Sequence, residues 1–197
     1  RTAHTSTLVD IGSGERGEVP GIPYVKNAQR NVAVPAHGRL MRFAVDKRSV
    51  ALRELTETTP FNRAEPGTGD LGIVASGVAY QYVKEVFPEA PVFKVGLSCP
   101  PPIEKIRAFA AGVKRLVVVE ESDPVLAEQI RAAGIPVVEP KTELRMMELN
   151  PARLAALRAE LLGTSAPEAP KPEAGIPVRP PVLCSGCSHR GPFHILS

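Results

Sequence analysis

The sequence predicts a three-layer α/β/α domain with a mostly parallel sheet, resembling no all-helical or all-β pattern. Short β-branched runs alternate with helix-patterned stretches in units of roughly 20 residues. The runs are apolar throughout rather than alternating, which marks strands buried on both faces. Between them, Pro, Asn and Gly sit where helices start and stop. Strands joined through helices can pair in parallel only with helices covering both sides of the sheet.

Taken in order, Leu71–Ser76 reads as a buried strand. Val78, Tyr82 and Val86 then stand at helical spacing, and Pro88 ends the helix. A second strand follows at 91–95. After Pro100-Pro101-Pro102, the residues Ile103, Ile106, Phe109, Ala110 and Val113 mark one helix face. Arg115–Glu120 is the clearest strand, β-branched in its centre. Asp123-Pro124 reads as an N-cap followed by Pro at the first helical position, Leu126, Ile130 and Ala133 as a buried stripe, and Gly134 as the stop. A fourth strand is expected at 135–138. Asn150-Pro151 caps a last helix with Leu154, Leu157 and Leu161 aligned, closed by Gly163. Upstream, a helix is expected over Ala36–Thr58 with Leu40, Met41, Ala44, Leu52 and Leu55 inward, and a strand over Ser6–Ile11. Residues 60–70, rich in Pro and Gly, read as a loop or short linker.

Composition narrows the function. The chain has 197 residues, 24 Lys+Arg against 21 Asp+Glu, and a net charge of +3. No block is one-signed and there is no Trp, so neither a phosphate-binding footprint nor an aromatic platform for nucleic acid is expected. Apolar runs stay far below the ~20 residues of a membrane span. Three Cys cannot build a disulfide framework, and a reduced, cytoplasmic setting is expected. Residues 163–181 hold six Pro with several Ala and no aromatic, the composition of an extended linker. The chain starts at Arg1 without Met and stops after Phe193-His194-Ile195-Leu196, so an internal piece of a longer polypeptide is expected.

Chemistry has few candidate seats. No glycine-rich phosphate loop opens a helix, and Ser76-Gly77 reads as a tight turn with Ser76 as a cap. Glu120-Glu121 falls at the carboxyl end of a strand, where open α/β sheets bind ligands. The pair could serve as acid and base, or could only meet the positive start of the next helix; the lack of a neighbouring His or Lys favours the second. His4 and His37 stand alone and read as structural. Cys99 reads as a small buried apolar side chain. The strongest signal is Cys184-Ser-Gly-Cys187-Ser-His189-Arg190. Two Cys three residues apart can hold one soft metal from a single turn, with His189 and His194 able to complete a zinc site; an unliganded dithiol and a redox pair remain open.

Several segments resemble one family. The run Gly72-Ile-Val-Ala-Ser-Gly-Val-Ala-Tyr-Gln-Tyr-Val-Lys-Glu-Val-Phe-Pro88 resembles the opening of the second domain of indolepyruvate:ferredoxin oxidoreductase α subunits, within the thiamine diphosphate-dependent 2-oxoacid:ferredoxin oxidoreductases. Leu116–Pro124 resembles that domain's third strand and turn, and Arg179–Gly191 the entry to the thiamine-binding domain. Arg1–Ser6 and Val34–Ala36 resemble the end of the pyrimidine-binding domain and its connector. The resemblance implies the end of a pyrimidine-binding domain and connector at 1–69, a transketolase C-terminal-like domain at 70–162, a linker at 163–181 and the start of a thiamine diphosphate-binding domain at 182–197.

It also implies a parent enzyme that oxidatively decarboxylates aryl 2-oxo acids to acyl-CoA and reduces ferredoxin. That enzyme would use thiamine diphosphate, Mg²⁺ and 4Fe-4S clusters, and would pair with a β subunit. The family's Mg²⁺–diphosphate motif and ferredoxin-like cysteine cluster have no match here, and the cofactor-activating carboxylate of the pyrimidine-binding domain is missing too. No catalytic residue is therefore expected within these residues, and the piece alone is expected to bind no cofactor. By the resemblance, Cys187, His189 and Arg190 would line the thiamine pocket, and Cys184 and Cys187 would ligate an iron–sulfur cluster. Other readings are a pyruvate-type relative, a non-catalytic docking module and a zinc-binding domain.

Overall fold

A computed structural model describes residues 12–13, 17–18, 20–144, 146, 148–165, 168, 175, 183 and 187–196. The expected strand at Ser6–Ile11, His4, Cys184 and most of 163–181 lie outside the described residues. Contacts divide the chain into two units, residues 1–50 and 51–197.

In the first unit, α1 (Ala28–Asn31) is capped by the Asn27 side chain, which accepts from the Arg30 amide at 2.9 Å. His37 Nδ1 donates to the Val32 carbonyl at 3.1 Å, so this histidine is structural, as its isolation in the sequence suggested. Helix α2 (Pro35–Thr58) begins here and matches the expected span within a residue. Its expected inward face does not hold. Leu40, Leu52 and Leu55 are exposed, Met41 and Ala44 are not buried, and Thr56 is the residue that α2 buries. Apolar spacing marks a face that could be covered; it does not establish that these residues cover it.

The second unit holds the sheet, in the order β1 (Arg63–Glu65), β3 (Val92–Val95), β2 (Leu71–Ser76), β4 (Arg115–Val119). Strands β3, β2 and β4 are parallel, with Val74 level with Phe93 on one side and Val118 on the other. Strand β1 is antiparallel to β3 on the outer edge, Ala64 opposite Phe93. The stretch 60–70, read as a loop, thus contains a strand. The expected fourth parallel strand shrinks to one bridge, Val138 beside Val117, with the Val138 amide donating to Leu116 at 2.7 Å. Pro136 explains the loss, because it cannot donate to a ladder.

The two-residue period of the strands sorts their side chains onto two faces. Leu71, Ile73, Ala75, Val92, Val117 and Val119 pack under α3 (Gly77–Val86) and α6 (Pro151–Leu162). Val74, Phe93, Val95, Leu116 and Val118 pack under α4 (Ile103–Ala110) and α5 (Val125–Ala132). The three-layer α/β/α arrangement follows. Each core side chain withdrawn from water contributes about 1.5–3 kcal/mol, and these strands withdraw nearly all of theirs. On α3 the buried stripe is Ala79, Tyr80, Val83 and, just past its end, Phe87, rather than Val78, Tyr82 and Val86, which pack only partly. The faces of α4 and α6 are as expected. Gly134 and Gly163 adopt left-handed φ of 76° and 68° and end α5 and α6, a conformation that a side chain disfavours.

Candidate functional site

Ligands of open α/β sheets collect where neighbouring strands send their connections to opposite sides. Here that place lies at the carboxyl ends of β2 and β4: the chain leaves β2 toward β3 and leaves β4 toward residues 135–138, on the other side. The loops meeting there are Ser76-Gly77 and Glu120-Glu121-Ser122. Ser76 occupies the N-cap position of α3 as expected, yet its hydroxyl makes no capping bond. Ser122 takes a left-handed φ of 65°.

The acidic pair faces backbone amides. Glu120 accepts from Leu126 at 2.8 Å and from Ala127 at 2.9 Å, so it closes the first turn of α5. Asp123 is not the cap: α5 starts at Val125, with Pro124 at the N-cap position. A longer side chain from the end of β4 reaches in where a local cap was expected. Glu121 accepts from the Leu149 amide at 2.7 Å. Glu120 thus meets the positive start of the next helix, the arrangement that the lack of a His or Lys neighbour favoured, whereas Glu121 engages an amide outside that helix.

The same device recurs. Glu57, near the end of α2, accepts from the Glu104 and Lys105 amides, each at 3.0 Å, and closes α4. Glu160 accepts from the Lys141 and Thr142 amides at 2.7 Å and from the Thr142 hydroxyl at 2.6 Å. Burial pushes the Glu160 carboxyl up, but these hydrogen bonds outweigh it and hold it below the ordinary carboxylate value. The starts of α4 and α5 are thus filled by the protein's own carboxylates, while Glu160 ties down a loop outside any helix and α3 starts without a side-chain cap. Beside Glu120 lies a cavity of about 270 Å³, bounded by Ser122, Arg131, Val138, Lys141 and Glu143. Sequence reasoning noticed Glu120 and Glu121 and missed Glu57 and Glu160, whose partners lie 18 to 48 residues away.

Cys99 is exposed, not a buried apolar side chain, because the loop leaving β3 carries it outward before Pro100. At the far end, Cys187 is half-buried, and its Sγ lies 3.4 Å from His189 Nδ1. The Arg190 amide donates to the Cys187 carbonyl at 3.1 Å, forming the turn that opens α7 (Arg190–Leu196). The structure therefore brings Cys187, His189 and Arg190 together on one turn. His194 sits on α7 with interactions of its own. Among the described residues, no three His, Cys, Asp or Glu side chains gather as a metal site.

The fold and the turn define a doubly covered α/β domain followed by a Cys/His turn. No protein-family model matches the chain. It is 30% identical over its whole length to the indolepyruvate oxidoreductase subunit IorA of Archaeoglobus fulgidus, and 33% identical over 98% of its length to the subunit of that name from Methanothermobacter thermautotrophicus. The Pyrococcus abyssi subunit is 32% identical over 88% of the chain. The chain belongs to the family of these oxidoreductase subunits, and it spans 34% of the length of the first two. Among solved structures, a 2-oxoglutarate:ferredoxin oxidoreductase from Magnetococcus marinus matches with a TM-score of 0.39 and 25% identity, over 50% of this chain and 18% of that one. No described helix is long and apolar enough to cross a membrane.

Proposed function

We propose that the chain is part of the α subunit of an indolepyruvate-type 2-oxoacid:ferredoxin oxidoreductase, and that its α/β domain packs and positions neighbouring parts without chemistry of its own. Similarity running through 98–100% of the chain supports the parent enzyme. One structural observation supports the packing role: at the carboxyl edge of the sheet, Glu57 and Glu120 occupy the starting amides of α4 and α5, although α3 starts there without a side-chain cap from Ser76. In this reading residues 1–69 end the pyrimidine-binding domain and its connector, 70–162 form the transketolase C-terminal-like domain, 163–181 link, and 182–197 open the thiamine-binding domain.

The turn at Cys187 suits the edge of a thiamine diphosphate pocket in its chemistry. Arg190 brings a guanidinium matched to a diphosphate, and His189 an imidazole already held by Cys187. When bound in the parent, thiamine diphosphate supplies the carbanion chemistry that decarboxylates a 2-oxo acid. This chain's residues would line and orient it. A complete cluster or Mg²⁺ site does not fit the described residues by themselves, which gather no three ligating side chains. A cluster held by Cys184 and Cys187 would need ligands from elsewhere in the parent.

The test is the parent polypeptide, produced with its partner subunit and assayed for ferredoxin reduction that depends on thiamine diphosphate, CoA and an arylpyruvate. Such activity is expected; its absence with every arylpyruvate overturns the parent assignment. In that enzyme, Glu120→Gln keeps turnover within about twofold if the domain only packs. A loss of about a hundredfold or more, the scale of a removed acid or base, overturns the packing role.

A further inference from the structure

We propose that the face around Arg63, Lys84 and Lys94, at the antiparallel edge of the sheet, docks an extended acidic segment of a partner protein. On this face Arg63 of β1 stands directly opposite Lys94 of β3, a pairing of like charges that a sheet ordinarily avoids. Between them and α3 lies one carboxylate. Glu65 accepts from Tyr80 Oη at 2.8 Å and from Arg63 at 2.9 Å, and lies 3.2 Å from Lys84 Nζ. Its oxygens are already engaged by three donors. Lys94 is left with no carboxylate within 4.0 Å among the described residues; its Nζ rests 4.6 Å above the Tyr80 ring. Three cations therefore share one anion.

Elsewhere among the described residues, cations pair with carboxylates of their own: Arg107 with Glu104, Lys114 with Asp70, and Arg158 with Glu89. The surplus cation charge is complementary to carboxylates from outside. Geometry favours an extended occupant. Strand β1 ends the sheet, and Arg63 and Ala64 are exposed, so a partner strand can lie beside it. On such a strand, alternate side chains would fall on the face that carries Arg63 and Lys94.

The experiment uses the full chain and a fluorescein-labelled octapeptide alternating Glu with Thr, with a Gln-for-Glu peptide as the neutral probe. Anisotropy should report binding of the acidic peptide that tightens as salt falls from about 0.3 M to about 0.05 M, and none of the neutral one. Lys94→Gln should weaken binding at least about fivefold, while Lys114→Gln, outside the patch, changes it by less than about twofold. Circular dichroism melts of Lys94→Gln, matched to those of the unaltered chain, confirm that the fold is kept; if this variant melts early, Lys84→Gln replaces it. No binding at low salt, equal weakening by Lys114→Gln, or undiminished binding by the patch variants overturns the proposal. None of these outcomes depends on the activity of the parent enzyme.

Discussion

Asn62 joins four backbone groups with one side chain. Its Nδ2 donates to the Thr56 and Leu97 carbonyls at 2.9 and 3.1 Å, and its Oδ1 accepts from the Gly96 and Leu97 amides at 2.8 Å. Lys105 adds bonds to the Thr59 and Asn62 carbonyls at 2.8 and 2.9 Å. Asn62 is 1% exposed, so water cannot replace what is lost. Asn62→Ala is expected to destabilise the fold by about 3 kcal/mol, since several buried polar groups lose their partner at once. Urea unfolding measures it; an unchanged midpoint would show that the loop rearranges freely. Nothing in the sequence marks Asn62, because it lies in a Pro-rich stretch and two of its partners are 34 and 35 residues away.

Acid stability is also decided residue by residue. Burial pushes the Glu65 carboxyl up, but hydrogen bonds from Tyr80, Lys84 and Arg63 outweigh it and hold it below its ordinary value of 4.5. The hydrogen bond from Arg158 lowers Glu89, and Glu160 is lowered by Thr142 and the neighbouring amides despite burial. A depressed carboxyl stabilises the folded state fully above the unfolded value, and this is lost as pH falls through the folded value. The thermal midpoint is therefore expected to hold near neutrality and to drop as pH falls below about 4.5. Glu65→Gln should make that drop shallower. A profile with the same acid slope in the variant would remove Glu65 from the account.

At the scale of elements, the parallel strands were legible because both of their faces are buried. Residues such as Val117 and Val118 must then be apolar whichever way they point. Val118→Asp is expected to abolish folding, because it places an unpaired carboxylate beside Ile130 and Leu126 at a cost of several kcal/mol. A soluble variant that still unfolds cooperatively by circular dichroism would contradict the placement of β4. Strand β1 was not legible. It has three residues, two of them charged, and only its antiparallel pairing with β3 makes it a strand. The helix starts were half legible: the Asn150 cap of α6 is local, accepting from the Arg153 amide at 2.9 Å, and α5 is closed by Glu120 six residues back, whereas α4 is closed by Glu57 from a distance.

For the whole molecule, ties within the sheet unit reach at least to residue 164. Arg115 donates to the Leu161 carbonyl at 3.0 Å, and the Thr164 amide closes onto Ala159 at 2.9 Å. Deleting residues 164–197 is expected to lower the thermal midpoint by no more than a few degrees, about 1 kcal/mol or less. Loss of the cooperative transition would show that the tail contributes to the core. The Cys187–His189–Arg190 turn lies within the segment removed by that deletion.

Apolar runs, helix spacing and local caps determined by themselves that a doubly covered parallel sheet forms, and which helices cover it, since periodicity and capping act over a few residues and need no distant partner. The chain order of motifs likewise carried the family. Tertiary structure alone decided the antiparallel edge, the Asn62 junction and the use of Glu57, Glu121 and Glu160 as plugs for amides far along the chain. A carboxylate or amide side chain looks the same in sequence whether it meets water, a ligand or a peptide group; only folding brings up the partner that chooses among them.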